Sequence, residues 1–356
     1  MSRGTVTGGG SPHAAVPLQK RRLSPSFLIF ISVMFIAAGL AVSLAVGAAN
    51  ISLTTIWEAA AHYDPLKVQH FTVLSVRLPR SITAVIVGAC FGISGAIMQG
   101  MTRNPLASPS IMGVSAGAGF ALVVAMAFYP GFTYHEMILV SLLGAALGTM
   151  IVYGIGTGSS TIFSTGQYSH VRFALAGAAV TAMLHALSHG LQIYYGISMQ
   201  VMYWYAAGIA GVKWDDVLAI APWALAGIVS ALLLGRSISM LSLGDEVAAG
   251  LGNRVKRVKL FGALTVFALT GSAVAVAGPI GFIGLIVPHL TRFLIGLDYR
   301  YVIPCSGLLG GALLLTADTV SRLVNPPQET PVGVLTTMLG VPFFLYLARK
   351  ERSSNL

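Results

Sequence analysis

Apolar stretches long enough to cross a bilayer recur along this chain, and they leave few alternatives for its fold. The run from Leu260 to Pro288 contains no charged residue. A helix needs about 20 mostly apolar residues to cross the hydrocarbon core. Segments of that kind lie near 27–48, 82–101, 111–129, 137–157, 173–195, 217–235, 260–278, 280–297, 302–320 and 333–348. The expected fold is therefore all-α, a polytopic membrane protein of ten transmembrane helices. Gly278-Pro279 should divide the long uncharged run into two spans, since proline removes a backbone donor and clashes with the preceding turn. The stretch 199–212 (MQVMYWYAAGIAGV) is aromatic at one end and small at the other. It reads as a half-helix or re-entrant piece, which membrane depth allows only where it lines protein or a water-filled cavity.

Composition points the same way. Charged residues make up 9% of the 356 positions, against about 25% in soluble domains, and the mean hydropathy is +0.81. A disordered chain, a nucleic-acid module and an ordinary cytosolic enzyme are excluded. Cys90 and Cys305 both sit in apolar runs and read as small buried hydrophobes, not as a disulfide.

Residues 1–24 read as a disordered cytoplasmic tail, with Gly8-Gly9-Gly10 and two prolines, residues 25–350 as the membrane domain, and 351–356 as a second tail. Lys20-Arg21-Arg22 ahead of the first span resembles a signal-peptide n-region. The apolar stretch from Phe27 to Ala49 nevertheless exceeds the roughly 7–15 residues of a signal core and should stay as a helix. Ten spans put both termini on one side. With that side cytoplasmic, sixteen of the 21 basic residues lie inside, as the positive-inside rule requires. The five outside are Lys67, Arg77, Arg80, Lys213 and Arg322.

Glycines spaced GxxxG (Gly88/Gly92, Gly113/Gly117, Gly144/Gly148, Gly307/Gly311) should let helix backbones approach closely in lipid. The remaining features concern function. A loop at about 239–258 holds Asp245-Glu246-Val247-Ala248-Ala249-Gly250-Leu251-Gly252, followed by Arg254, Lys256, Arg257 and Lys259. An acidic start and basic finish suit the dipole of a short helix, whose small centre would let another protein approach. No GxxxxGK[ST] phosphate loop occurs in the chain, so ATP-driven transport would need a separate ATPase docked at such a loop. Arg77-Leu78-Pro79-Arg80, just before the second span, and Arg322, just after the ninth, lie outside against the charge bias. They either pair with acids on an external partner or snorkel at the interface. Asn104-Pro105-Leu106 forces a turn at the cytoplasmic mouth. Thr181, His185, His189 and Gln192 share one helix face, as residues lining a cavity or bonding between helices do. The two histidines lack the glutamate of a zinc-hydrolase motif. Gly92-Ile93-Ser94-Gly95 matches the GxSG of intramembrane proteases, with small-residue packing the better account. An ion-coupled secondary transporter would need paired acids at mid-membrane, where only Asp318 comes close.

Several ordered segments carry a resemblance: RLPR (77–80), GISGAIMQGMTRNPLASPSIMGVSAGAG (92–119), LGDEVAAGLG (243–252), GPIGFIGLIVPHLTR (278–292), LDYR (297–300), ADTVSR (317–322) and PVGVLTTMLGVPFF (331–344). Together they resemble the permease subunits of type II ABC importers for iron-siderophores, haem and cobalamin, over nearly the whole chain. The resemblance implies a transport subunit, not an enzyme, embedded in a bacterial cytoplasmic membrane and paired with a second permease as a homo- or heterodimer. Two cytoplasmic ATPase subunits, which hold the ATP and magnesium, and an external substrate-binding protein complete the assembly. No cofactor or metal is resident in the permease. By similarity, Asp245, Glu246, Ala248, Ala249, Gly250, Leu251 and Gly252 form the ATPase-coupling region. Arg77, Arg80 and Arg322 fall at the binding-protein docking positions. Asn104, Leu106, Ser169 and His170 match the cytoplasmic gates. Thr181, His185, His189, Gln192, Met199, Met202 and Tyr203 are expected to line the passage. Family frequency favours an iron(III)-siderophore as cargo, with haem or cobalamin as alternatives within the same class.

Overall fold

A computed structural model of the chain describes residues 23–47, 50–129, 131, 133–157, 170–325 and 328–354. The described residues form α-helices joined by short turns. They are α1 (Pro25–Ala45), α2 (Leu53–Ala61), α3 (Val68–Thr102), α4 (Val114–Phe128), α5 (Tyr134–Thr157), α6 (His170–Tyr194) and α7 (Ser198–Ala207). Then come α8 (Trp214–Leu241), α9 (Asp245–Gly250), α10 (Val255–Ala277), α11 (Ile283–Ile295), α12 (Tyr299–Val324) and α13 (Val332–Ser354). Each of the ten expected spans coincides with a helix. The 199–212 stretch forms the short helix α7 and a turn. Ser169 and most of the N-terminal tail lie outside the described residues.

Helix α3 is the axis of the bundle and is buried over most of its length. Lipid tails are as apolar as leucine, so helices associate there through close van der Waals contact. Glycine supplies that contact. A Cβ on Gly88 would be driven into the carbonyl of Gly310, one on Gly92 into that of Ser306, and one on Gly95 into that of Gly284. The backbone of α3 therefore lies directly on α12 and α11. A second contact of the same kind joins α4 to α5, where Gly117 faces the carbonyl of Gly144 and Gly113 packs beside Gly148.

Three boundaries differ from expectation, with consequences for the charged residues. The second span was expected at 82–101, but α3 starts at Val68, so Arg77 and Arg80 lie within a helix and not ahead of one. Pro79 explains the local shape: its ring would meet the carbonyl four residues earlier, and Thr72–Arg77 is wound as a wider π-helical turn. Helix α12 runs to Val324 and encloses Asp318 and Arg322. Lys256, Arg257 and Lys259 form the first turns of α10. The break between α10 and α11 falls where Gly278-Pro279 predicts it. Both Gly278 and Phe282 take positive φ, 70° and 67°, and the Phe282 ring occupies the space a side chain at Gly340 would need.

Replacing Gly92 by leucine should force α3 off α12. Overpacking of a tight contact costs about 1–3 kcal/mol or more. The expected result is loss of the monodisperse protein peak in detergent, read by size-exclusion chromatography, whereas Gly190→Leu, with open space around it, should leave the peak unchanged.

Candidate functional site

The charged residues of the membrane domain gather at its two ends. At the end expected to face outward, the π-turn and the following helical turn of α3 direct Arg77 and Arg80 toward α1 and α12. Arg80 donates from Nε to Asp318 Oδ1 at 2.9 Å and from Nη1 to both oxygens of Glu329 at 2.8 Å. Arg322, one turn after Asp318, lies 3.1 Å from its other oxygen. Arg322 also donates to the backbone carbonyl of Ser43 at 3.0 Å and to its hydroxyl at 2.6 Å. Ser43 Oγ in turn meets Ser81 Oγ at 2.6 Å. Arg77 donates to the Leu44 carbonyl at 2.6 Å. Asp318 is fully buried and the three arginines nearly so.

The arginines expected to present charge outward are therefore turned inward, tying the ends of α1, α3 and α12 together. Asp318, the acid that comes closest to mid-membrane in the sequence, is clamped by two guanidinium groups and is not a free carboxylate. Ser43 and Glu329 complete this network. Neither stands out in the sequence, because each gains its role only when distant segments meet. Glu329, whose side chain is 44% exposed, is its most accessible member.

At the opposite end, α9 lies against the ends of α8 and α10 and leaves most of its surface open. Ala248 is buried, while Glu246, Val247, Ala249, Gly250, Leu251 and Gly252 are exposed. Asp245 is not part of that free face. Its carboxylate accepts from Lys259 Nζ at 2.6 Å and lies 3.9 Å from Arg103 Nη2. Asn253 donates to the Ser237 carbonyl at 2.9 Å. The helix is thus strapped to the ends of α3, α8 and α10, with the rest of its surface open.

Asn104 forms the expected turn, its Oδ1 accepting from Leu106 N–H at 2.9 Å. Both residues are half-buried. His170 opens α6. On α6, His185 and His189 are exposed, Thr181 is half-buried and Gln192 is buried, so only part of the polar stripe faces outward. Met199, Met202 and Tyr203 are exposed on α7. Among the described residues, no three His, Cys, Asp or Glu side chains converge as a metal site would require. Ser94 is fully buried on α3, and its hydroxyl has no hydrogen-bond partner among the described residues. A serine nucleophile needs a base within hydrogen-bond reach, and Ser94 has none among the described residues.

Comparisons with known proteins bear on the chain as a whole. The profile of the FecCD transport family matches residues 34–350. The chain is 51% identical over 314 residues to the iron(3+)-hydroxamate import system permease protein FhuB of Bacillus subtilis, covering 88% of this chain and 80% of that one. It is 43% identical over 335 residues to the Fe(3+)-citrate import system permease protein YfmD of the same organism, covering 94% and 98%. Among solved structures, a metal-chelate type ABC transporter in an inward-facing conformation superposes with a TM-score of 0.75 at 28% identity, over 92% of this chain and 100% of that one. A buried ion clamp at one end, a strapped but exposed helix at the other and a family match across the whole bundle lead to one conclusion: this chain belongs to the FecCD transport family of ABC importer permeases.

Proposed function

We propose that this chain is the membrane subunit of an ATP-driven importer that moves an iron(III)-siderophore, of the hydroxamate class, into the bacterial cytoplasm. The observation that carries the reading is α9, a helix whose free face is small and uncharged apart from Glu246, projecting from the basic end of the bundle. The cargo class is supported by the 51% identity to an iron-hydroxamate permease. Both termini lie on the cytoplasmic side, in keeping with the distribution of basic residues. The working assembly contains a second permease, two ATPase subunits holding the ATP and magnesium, and an external binding protein that delivers the chelate. This subunit breaks and makes no covalent bond.

Coupling then follows the straps. An ATPase moving against Ala249, Gly250 and Leu251 pushes α9, and the Asp245–Lys259 bond passes that displacement to α10. Helix α10 ends at the Gly278–Phe282 break, whose glycine geometry can absorb a change of angle. Helix α11 and the Asn104–Leu106 turn lie on the cytoplasmic side of this path. A difference in these contacts between the ATP-bound and free states is what shifts the access equilibrium. The exposed parts of α6 and α7, including His185, His189, Met199 and Met202, are proposed to face the passage between the two permeases. The Ser169–His170 segment is proposed as a second gate.

At the outer end, Arg77, Arg80 and Arg322 retain a docking role only where a partner's acids can reach them. Glu329 already occupies the outward edge of Arg80, so an arriving glutamate must compete with it.

Ala249→Arg should leave a folded permease that no longer co-purifies with its ATPase, a reduction of ten-fold or more read by affinity pull-down. Asp318→Asn should destabilise the protein by about 3–5 kcal/mol, the cost of leaving buried guanidinium charge uncompensated, read as a lowered Tm in detergent. Glu329→Gln should instead keep the fold and tighten the binding protein a few-fold in a surface-binding titration. Unchanged or weaker binding would confine the arginines to a structural clamp.

A further inference from the structure

A basic cleft of about 660 Å³ opens at the same end as α9, between the ends of α3 and α8 and the α11–α12 corner. Arg103, Arg236, Arg292 and Arg300 line it, against one carboxylate, Asp298. Three of the arginines have partners that use part of their hydrogen-bonding capacity. Arg300 is bonded to Asp298 at 2.6–3.0 Å, and this pairing holds the aspartate below the usual carboxylate range. Arg292 donates to Gln99, whose amide is itself fixed on the carbonyls of Gly284 and Leu285. Arg103 is only loosely placed near Asp245. Arg236 is exposed and makes no ion pair among the described residues. The cleft thus carries an excess of positive charge with donors to spare.

What lies beside it indicates the occupant. Leu225, Val229, Leu232 and Leu233 are exposed on α8, and their spacing puts them on the face that continues through Arg236 to Met240 and Leu243 at the cleft wall. On α11, Leu290 and Phe293 are exposed in the same way, leading to exposed Leu297 on the cleft rim. Two stripes of exposed apolar side chains therefore converge on one arginine-lined cleft. An acidic protein segment would use the charge and leave the stripes unexplained. An anionic phospholipid uses both, with phosphate among guanidinium groups and acyl chains along α8 and α11. Basic pockets between transmembrane helices on the cytoplasmic side bind such headgroups, and arginine suits phosphate because its planar fork donates two parallel hydrogen bonds.

We propose that this cleft is a binding site for the headgroup of an anionic phospholipid of the cytoplasmic leaflet, with Arg236 as its principal unpaired ligand. The proposal takes from the importer reading only the side of the membrane on which α9 lies.

The test uses the purified full-length permease, stripped of lipid by detergent exchange and then offered phosphatidylglycerol or phosphatidylcholine. Native mass spectrometry counts retained lipid, with no ATPase, binding protein or cargo present, so its outcome is independent of the transport assignment. Wild-type protein should retain phosphatidylglycerol preferentially. Arg236→Gln should weaken that retention about five-fold, the scale of one basic residue at an anionic surface, and Arg236→Gln with Arg300→Gln should weaken it further. Lys256→Gln, on the same face but outside the cleft, should behave as wild type. Equal retention of the two lipids, or equal loss in the Lys256 variant, would overturn the site. Displacement of the lipid by millimolar inorganic phosphate would reassign the cleft to a soluble phosphate. Unaltered lipid retention in the Arg236 variant would also overturn the site, and loss of ATPase co-purification by that variant in a separate pull-down would then assign the cleft to an acidic segment of that partner.

Discussion

The backbone-to-backbone contact of α3 with α11 and α12 is the constraint on which the rest of the structure depends. In lipid there is no hydrophobic gain in bringing two apolar helices together, so attraction must come from short-range packing and a few buried polar bonds. Gly88, Gly92 and Gly95 remove the side chains that would hold α3 away from the carbonyls of Gly310, Ser306 and Gly284. Once α3 is seated there, Arg80 reaches Asp318 and Gln99 reaches Gly284 and Arg292. The ion clamp and one wall of the basic cleft therefore rest on the same helix and the same glycines.

The two ends of the bundle use charge in opposite ways. At the end that holds Arg80 and Arg322, the charges are buried, paired and tied to backbone carbonyls at the end of α1. Removing one partner there leaves a charge with nothing to offset its desolvation. At the end that carries α9, half-buried charges hold a small helix in place while leaving its face open. A clamp built this way resists movement, whereas α9 is positioned by a few half-buried bonds that can transmit it. For a transporter that opens to one side at a time, this places rigidity and leverage at different ends.

Much of the membrane architecture is legible from local composition. The break at Gly278-Pro279 and the turn at Asn104 are each set by residues adjacent in the chain and occur as read; the short helix at Asp245–Gly250 also forms, but ends before the basic residues, which open α10 instead. The outer arginines were read less completely. A charged residue beside an apolar run has the same local sequence whether it ends a helix or is buried within one. The difference lies in Asp318, Ser43 and Glu329, contributed by segments far away in the chain. Hydropathy windows also truncate helices at charged residues, and so α3 and α12 extend beyond their expected ends.

The sequence by itself determined the class of protein, the placement of its apolar segments and the family, because bilayer thickness acts on each segment independently. Only the tertiary structure decided which glycines meet which carbonyls and which arginines are neutralised. It alone showed that Asp245 is a strap and not part of a free face, and that two apolar stripes converge on an arginine cleft. These are pairings between distant residues, and their energies exist only once the helices have packed.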